Sequence, residues 1–254
     1  MVIERERHDR VGIIRLNRPE ARNAVSDEVS EAIEAALDEF ESDDGVAAVV
    51  VTGTGDVFCA GADLKMVARG QGAKIATKRG GFGGFVARDY PKPRIAAVNG
   101  PALAGGFEIV LACDLVVAAD DARFGLPEVK RGLFAAAGGP FRLARRIPLA
   151  TATEIVLTGD PIDASRAHEL GLVNRLVPRD RVVDEALALA GRIAENGPVA
   201  VRNSLKMVRE AVDLTEAEAW PRSGELALEV FSTQDAIEGA TAFAEKRPPR
   251  WSGS

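Results

Sequence analysis

The sequence predicts an α/β fold with a parallel sheet, because continuous apolar runs alternate with segments of helical pattern. Three apolar runs bounded by turn residues are typical of strands buried on both faces: Val46–Gly53, Arg94–Gly100 and Asp114–Asp120. Residues 104–112, between the last two runs, have the length and spacing of a helix. A strand, a helix and a strand in this order predict parallel pairing through a right-handed crossover.

The N-terminal segments MVIERER and VGIIRLN alternate apolar and polar residues, which predicts two strands joined by a turn at His8–Asp9–Arg10. Ser26 is the predicted N-cap of the helix that follows. The apolar stripe of that helix is predicted to comprise Val29, Ile33, Ala36, Leu37 and Phe40.

The pattern becomes helical from about Pro148, and only Gly171–Val177 interrupts it as a predicted short strand. We therefore predict an α/β core in residues 1–195 and a helical C-terminal region in residues 196–254. No Ser/Gly-rich or Pro-rich linker separates the two, so they are expected to pack together.

Composition excludes several classes of function. The chain has 254 residues, and 32 Lys and Arg against 38 Asp and Glu give a net charge of −6, so no basic surface for nucleic acid or anionic membrane is expected. The apolar stretch Ile95–Val117 is interrupted by polar residues and is not a predicted membrane span. The charged N-terminus lacks a signal-peptide pattern, so a cytoplasmic location is expected.

The few cysteines and histidines argue against disulfide and zinc chemistry. Cys59 and Cys113 are expected to be small buried hydrophobic residues. His8 and His168 have no His or Cys neighbour at ligand spacing, so no metal site is expected. Acid–base chemistry in this chain therefore falls to carboxylates.

The Gly-rich segment Gly80–Tyr90 does not follow a predicted buried strand, so it lacks the context of a dinucleotide-binding turn. We expect a mobile loop or an irregular helix start there.

Three stretches place chemically useful residues just beyond predicted strands: TGTGDVFCAGADLKM, NGPALAGGFEIV and ARFGLPEVKRGLF. Open α/β sheets bind ligands at the carboxyl ends of their strands. The second stretch contains Glu108 in apolar surroundings, and the third presents Glu128 after Pro127. A carboxylate in such surroundings is costly to keep ionised unless a partner compensates it.

The first two stretches share a physical design. Small residues allow a ligand to approach the main chain, and a helix then begins with unpaired amide N–H groups. Two such amides that converge on one point form an oxyanion hole. Tight packing of a helix on the sheet is the structural alternative for each stretch. For the carboxylates, the alternatives are an ion pair of Glu108 with Arg142 or Arg145, and a capping role of Glu128.

The segments CAGADLKM, NGPALAGGFEIVLACDLVVAADDARFGLPEV and DAIEGATAFAEKR resemble the crotonase (enoyl-CoA hydratase/isomerase) superfamily, and the resemblance covers essentially the whole chain. It implies a spiral of repeated ββα units with a helical C-terminal region that covers the CoA site and drives trimerisation, often as a dimer of trimers. It also implies an acyl-CoA thioester substrate, with coenzyme A as part of the substrate and no separate cofactor.

The resemblance implies roles residue by residue. The backbone N–H groups of Ala62 and Gly105 match the positions that hold the thioester oxygen, and Glu108 and Glu128 match the two catalytic glutamates of the hydratases. The positions that match the CoA-binding edge and the tail near its nucleotide end are Ala24, Ala60, Asp63, Leu64, Phe243 and Lys246.

The resemblance favours hydration of a 2-trans-enoyl-CoA. A dehydratase of the carnitinyl-CoA type is a competitor because of RSGEL (Arg222–Leu226) and the tail. An isomerase needs only one of the two carboxylates. A CoA-ester-binding protein without catalytic activity is the non-enzymatic alternative.

The sequence departs from the family pattern at two places. Residues 135–140 read Ala-Ala-Ala-Gly-Gly-Pro where hydratases usually carry Pro-Gly-Ala-Gly-Gly, so the amide that helps to hold water is expected at Ala136. Ala104 stands where a third glycine is common. The side chains of Phe107, Phe134 and Phe141 are expected to narrow the acyl channel, with a place in the core as the alternative for Phe141.

Overall fold

The computed structural model describes residues 1–253, which form a mixed α/β fold around a six-stranded sheet. The strands in chain order are β1 (Ile3–His8), β2 (Val11–Leu16), β3 (Ala48–Gly53), β4 (Ala76–Thr77), β5 (Gly81–Phe82), β6 (Arg94–Val98), β7 (Ala102–Leu103), β8 (Leu115–Ala119), β9 (Arg123–Gly125), β10 (Ile162–Asp163) and β11 (Arg175–Val177). The helices are α1 (Asp27–Ser42), α2 (Leu64–Ala68), α3 (Gly105–Ala112), α4 (Gly139–Arg146), α5 (Leu149–Thr158), α6 (Ala164–Glu169), α7 (Val182–Ala194), α8 (Pro198–Glu210), α9 (Glu216–Phe231) and α10 (Gln234–Glu245).

The main sheet has the order β1-β2-β3-β6-β8-β11, in which β1 pairs antiparallel with β2 and every later pair is parallel. The predicted parallel α/β fold is therefore confirmed. The third apolar run forms β8, and the predicted strand Gly171–Val177 is shorter than expected, because only its last three residues pair with β8. Two small sheets, β10-β9-β7 and β4-β5, were not predicted.

Burial follows the predicted patterns. Every residue of β3 and β6 is buried, as expected for central parallel strands. Ser26 caps α1 by accepting a hydrogen bond from the Val29 amide at 3.3 Å, and the whole predicted apolar stripe of α1 is buried. Helix α3 is buried along its full length, so it crosses the core and does not present a solvent face.

The C-terminal helices α8, α9 and α10 follow each other in successive contact, and α7 packs on the main sheet. Few side chains of α9 and α10 are buried, among them Leu226 and Ala242. The assignment of residues 196–254 to a separate region stays a prediction. None of the helices in residues 1–253 combines the length and the apolar character needed to cross a membrane.

Gly80–Tyr90 was predicted to be a mobile loop or an irregular helix start. It contains β5 followed by turns without a helix, and it packs Phe85 and Tyr90 completely into the core, which does not fit a mobile loop. Close packing explains the glycines, because a Cβ on Gly84 would overlap the backbone carbonyl oxygen of Ser30 in α1. Both cysteines are free and buried, as predicted.

Candidate active site

One cavity of about 800 Å³ contains all four residues to which the sequence assigned catalytic roles. Ala62, Gly105, Glu108 and Glu128 line it together. They come from the segments after β3 of the main sheet and after β7 and β9 of a small sheet, so residues distant in sequence meet beyond the carboxyl ends of strands from two sheets. Most of the remaining lining is apolar, which weakens solvation of a carboxylate inside the cavity.

The two segments that supply backbone amides run side by side. Cys59 and Ala102 form a parallel bridge, and the Leu103 amide donates to the Cys59 carbonyl oxygen at 3.0 Å. A Cβ built on Gly61 would lie 2.9 Å from the Gly105 nitrogen, so the chain passes Gly105 with no room for a side chain. Ala62 and Gly105 are therefore held in adjacent positions.

Neither of these amides has an acceptor elsewhere in the described chain. The neighbouring amides do: Asp63 donates to the Val25 carbonyl at 2.9 Å, and Ala104 donates to the Gly125 carbonyl at 2.9 Å. No backbone or side-chain acceptor within residues 1–253 receives the N–H of Ala62 or of Gly105. Two unpaired donors at one cavity wall can bind an oxygen that carries developing negative charge.

The turn into α3 is strained. Its N-cap, Ala104, has φ 53° and ψ −130°, a combination that favours glycine. This is the position where the sequence departs from a more usual glycine. The strain accompanies a sharp change of direction that brings the first residue of α3, Gly105, to the cavity wall.

Glu108 lies one turn into α3 and is 3 % exposed. Its Oε1 accepts a hydrogen bond from the Gly139 amide at 2.9 Å. Burial, with a smaller contribution from the nearby Glu128, raises the pKa of Glu108 to about 7, although the hydrogen bond from the Gly139 amide opposes both effects. Glu108 can therefore exchange a proton near neutral pH.

Glu128 lies in a 3-10 turn, Pro127–Arg131, that begins immediately after β9. Its Oε2 is buried and has no hydrogen-bond partner among the described residues. Burial raises the pKa of this carboxyl above its ordinary value, whereas its own backbone amide and Arg131 lower the pKa. A buried carboxyl oxygen without a donor favours the protonated form.

The structural alternatives for the two carboxylates do not hold within residues 1–253. Glu108 forms no ion pair there, since Arg145 pairs with Asp213 at 2.8 Å and Arg142 donates to backbone carbonyls. Glu128 caps no helix, and its 3-10 turn has no side-chain cap.

The segment 135–140 borders the cavity through Ala136, and the predicted role of the Ala136 amide in holding water stays a prediction. The Gly139 amide of the same segment donates to Glu108. Gly138 has φ 101°, a conformation that favours glycine, and Pro140 occupies the first turn of α4, where a missing N–H is tolerated.

The expectation for the phenylalanines is correct for two of the three. Phe134 and Phe141 line the cavity. Phe107 does not, because its position on α3 directs it into the core, where its ring centroid lies 5.5 Å from that of Phe124. The sequence could not exclude Phe107 from the channel, since every residue of α3 is buried and an apolar side chain there can face the cavity or the core.

The residues assigned to the CoA-binding edge divide into two groups. Ala60 and Leu64 line the cavity. Ala24 and Asp63 do not, and both bind Arg18, which donates to the Ala24 carbonyl at 2.7 Å and to Asp63 Oδ2 at 3.2 Å. Asp63 also caps α2 by accepting from the Lys65 amide at 3.1 Å.

The two tail residues lie apart from this cavity. Phe243 is in α10 with 87 % of its surface exposed, and Lys246 ends that helix in a left-handed conformation. Neither lines the cavity within this chain. Their role at the CoA site stays a prediction.

The sequence did not identify several cavity residues. Phe82 covers Gly105 so closely that a Cβ there would overlap its ring. Arg22 and Arg142 add positive charge to the lining. Phe82 lies in the segment interpreted as a loop or an irregular helix start. Arg142 is 34 positions from Glu108 in sequence, and no local pattern placed the two residues in one cavity. Within residues 1–253, no cluster of His, Cys, Asp and Glu has the arrangement of a metal site.

Comparisons with known proteins agree with this geometry. The family model described as enoyl-CoA hydratase/isomerase matches residues 6–254. An enoyl-CoA hydratase of Mycobacterium tuberculosis is 39 % identical over 252 residues, which is 97 % of this chain and 94 % of the relative. A carnitinyl-CoA dehydratase of Proteus mirabilis is also 39 % identical, over 94 % of this chain and 93 % of the relative.

Solved structures show the same fold. The crystal structure of an enoyl-CoA hydratase from Mycobacterium tuberculosis superposes with a TM-score of 0.95 at 47 % identity, covering 100 % of this chain and 99 % of that one. Family match, relatives and fold agree over nearly the full length. The chain is therefore an enzyme of the enoyl-CoA hydratase/isomerase family.

Proposed function

We propose that this enzyme hydrates the 2,3 double bond of a 2-trans-enoyl-CoA to give the 3-hydroxyacyl-CoA. The observation that carries the proposal is the convergence of two unpaired amides and two carboxyls of raised pKa on one cavity. The thioester carbonyl oxygen would bind the amides of Ala62 and Gly105. The double bond would then lie between that oxygen and the glutamates.

The amides would act on the charge that the reaction creates. Attack of water at C3 moves electrons onto the carbonyl oxygen and produces an enolate. Donors that are already oriented stabilise this charge without reorganising, and the loss of one such donor typically raises the barrier by about 3–4 kcal/mol. The reaction as proposed uses protein groups and the CoA ester, with no metal or redox cofactor.

The carboxyls would divide the two proton transfers. One carboxylate takes a proton from the attacking water, while the other carboxyl delivers its proton to C2, and exchange with solvent then restores both groups. Two neighbouring carboxyls in an apolar cavity titrate as a pair, so one can remain protonated while the other is ionised. Glu108 and Glu128 meet this requirement because burial raises the pKa of both carboxyls.

We further propose that the edge formed by Ala24, Ala60, Asp63 and Leu64 receives the CoA portion. The enzyme would assemble as a homotrimer or a dimer of trimers. Self-association is supported by large apolar side chains that α9 and α10 leave exposed, among them Trp220, Leu228, Phe231, Ile237 and Phe243. In such an assembly Phe243 and Lys246 could reach a neighbouring subunit's CoA.

Dehydration of a carnitinyl-type ester is the second candidate, supported by the relative of that name. The cavity offers aromatic faces at Phe134 and Phe141 for a quaternary ammonium group. Arg131 and Arg142 in the same lining would repel that group. The charge balance therefore favours an acyl chain without a positive charge. An isomerase would not require both glutamates at the cavity.

Loss of the enoyl-thioester absorbance of crotonyl-CoA and longer 2-enoyl-CoA esters tests the proposal. Glu108→Gln and Glu128→Gln should each lower kcat by about 100-fold or more, because each removes one proton-transfer group. Binding of a saturated acyl-CoA should be largely retained. Glu154→Gln, on the exposed side of α5, is the matched control and should behave as wild type.

Full activity of both glutamine variants would contradict the proposed chemistry. Activity with a carnitinyl-CoA ester, but with none of the simple enoyl esters, would favour the second candidate.

A further inference from the structure

Arg142 links two backbone segments at the wall of the active-site cavity. It lies in α4, and its guanidinium donates to the Ala137 carbonyl oxygen at 3.1 Å and to the Val86 carbonyl oxygen at 2.6 Å. These acceptors are 51 positions apart in sequence, yet both residues line the cavity. One planar side chain therefore ties the Gly-rich segment after β5 to the segment before α4.

The second of these segments holds Glu108. The Gly139 amide donates to Glu108 Oε1 at 2.9 Å, and the Ala137 amide also favours the ionised form of this carboxyl. Arg142 therefore fixes the carbonyl of Ala137, and the amide of the same residue faces Glu108. Between these residues, Gly138 has φ 101°, and a Cβ there would overlap the Arg142 Nη1 atom. The guanidinium lies directly against the turn.

The charge of Arg142 is not neutralised by an ion pair within residues 1–253. Its two partners are carbonyl oxygens, and its positive charge faces Glu108 across the turn. Burial lowers the pKa of Arg142, and the neighbouring Arg94 and Arg146 lower it further, whereas Glu108 and Cys113 raise it. A purely structural arginine in such surroundings would be better compensated by a carboxylate.

We propose that Arg142 is a positioning residue that orients the Glu108 carboxylate. By bridging the Val86 and Ala137 carbonyls, Arg142 fixes the 137–139 turn, whose amides contact Glu108. The inference rests on the proposed hydratase function. Arg142 itself touches no reacting atom. It acts through the amides that hold Glu108, and its charge favours the ionised form of that carboxyl.

Other charged groups around this site set the direction of the pH effect. Glu108 faces Glu128 from the 3-10 turn and Arg142 from α4, and Arg131 acts on Glu128. Removal of the Arg142 charge leaves Glu128 as the main neighbouring charge of Glu108. The pKa of Glu108 should then rise. In a plot of kcat/KM against pH, the transition that reports the ionisation of Glu108 should therefore move to higher pH.

The test compares Arg142→Gln and Arg142→Lys with wild type in the hydration assay. Arg142→Gln should lower kcat by about 10- to 100-fold with little change in KM, because misplacement of a catalytic group by about 1 Å has effects of this size. Arg142→Lys keeps the charge but cannot span both carbonyls. In this variant the pH of the Glu108 transition should match that of wild type, and kcat should fall by about 10-fold. Arg145→Gln, three positions along α4, is the matched control and should retain activity.

A double-mutant cycle separates positioning from general damage. If Arg142 acts through Glu108, Arg142→Gln should have little further effect in the Glu108→Gln background. An equal fold-loss in both backgrounds, or an unshifted pH profile for Arg142→Gln, would overturn the inference. Should Arg142→Gln fail to fold, wild-type kcat in the folded Arg142→Lys variant would overturn it equally.

Failure of the inference is distinguishable from failure of the proposed function. Loss of activity in Glu108→Gln with an additive effect of Arg142 rejects the positioning role alone. Undiminished activity of Glu108→Gln rejects the proposed chemistry first.

Discussion

The two amide-bearing segments reach the same cavity wall but are supported in different ways. Gly105 begins α3, which is buried over all eight of its residues. Ala62 precedes α2, which has five residues and buries none of them. The first donor is therefore held by the core. The second is held by hydrogen bonds to the N-terminal part of the chain, such as Ala60 to the Arg22 carbonyl at 3.0 Å and Asp63 to the Val25 carbonyl at 2.9 Å.

The two segments therefore differ in how firmly each holds its amide donor. A donor on a buried helix is fixed by many packing contacts, so its position does not depend on ligand. A donor on a half-exposed segment leaves its outer side open, and Ala60, Ala62 and Leu64 line the cavity there. The segment after β3 is therefore the more open side of the cavity, and the segment after β7 is the more rigid side.

Separation of the two segments should have the largest effect. A Cβ in Gly106→Ala would overlap the Cys59 carbonyl oxygen, which belongs to the first segment's backbone. Backbone cannot yield as a flexible side chain can, so we expect a loss of about 3 kcal/mol in unfolding free energy or more, and near-complete loss of hydration. Urea unfolding and crotonyl-CoA turnover measure the two effects.

Gly191→Ala is the control for Gly106→Ala, because it adds a Cβ without an overlap. Gly191 lies inside α7, and a Cβ there would meet nothing within 4 Å. Alanine should stabilise this helix by about 0.5–1 kcal/mol with unchanged turnover. Equal stability of Gly106→Ala and wild type would show that the two segments can separate freely.

Gly61→Ala changes the half-exposed segment where it contacts the buried one. Gly61 has φ 95°, and the new Cβ would lie 2.7 Å from the Ala104 Cβ and 2.9 Å from the Gly105 nitrogen. Strain and overlap together should destabilise the protein by about 3 kcal/mol. The displaced Ala62 amide should lower kcat by about 100-fold.

Gly70→Ala isolates the strain from the overlap. Gly70 has φ 72° with open space around it, so alanine there should cost about 1 kcal/mol of stability and leave kcat unchanged. If both variants lost kcat to the same extent, the contact with Gly105 would not matter.

The sequence was sufficient to predict most of this arrangement. Buried apolar runs identified β3, β6 and β8, and the resemblance identified Ala62, Gly105, Glu108 and Glu128, which share one cavity. Periodicity and local motifs are properties of contiguous residues, so they survive without knowledge of the fold.

Contacts between distant segments could not be predicted in this way. The Gly139 amide at Glu108 and the Arg142 contact with Val86 join residues with no local pattern in common. Phe107 was misplaced because α3 is buried on every side, so its apolar residues can face either the cavity or the core. The Gly-rich segment 80–90 was misinterpreted because its glycines permit close packing, a role that composition does not distinguish from flexibility.

The burial that fixes α3 should also reduce stability at high pH. The pKa of Glu108 is raised by burial to about 7 from an ordinary 4.5. Between these values the native state binds its proton more tightly than the unfolded chain, so this group's contribution to stability falls as pH rises from about 4.5 to 7. Glu108→Gln should therefore be about 2 kcal/mol more stable than wild type at pH 8.

At pH 4 the stability advantage of Glu108→Gln should vanish, since both states of the wild type then carry the proton. Urea unfolding of wild type and Glu108→Gln across this pH range checks the sign. Lower stability of Glu108→Gln at pH 8 would mean that the Gly139 hydrogen bond outweighs burial.

The smallest expected effect concerns the strained entry to the buried helix. Ala104 has φ 53° and ψ −130°, so Ala104→Gly should relieve strain of about 1–3 kcal/mol while losing about 0.5–1 kcal/mol through added freedom of the unfolded chain. A net gain of about 0.5–1 kcal/mol with unchanged kcat follows. The matched control, Ala32→Gly within α1, should instead lose about 1 kcal/mol. If Ala104→Gly were more stable but had a lower kcat, the backbone strain at Ala104 would serve to orient the Gly105 amide. The buried segment that enters α3 would then be the strained one of the two.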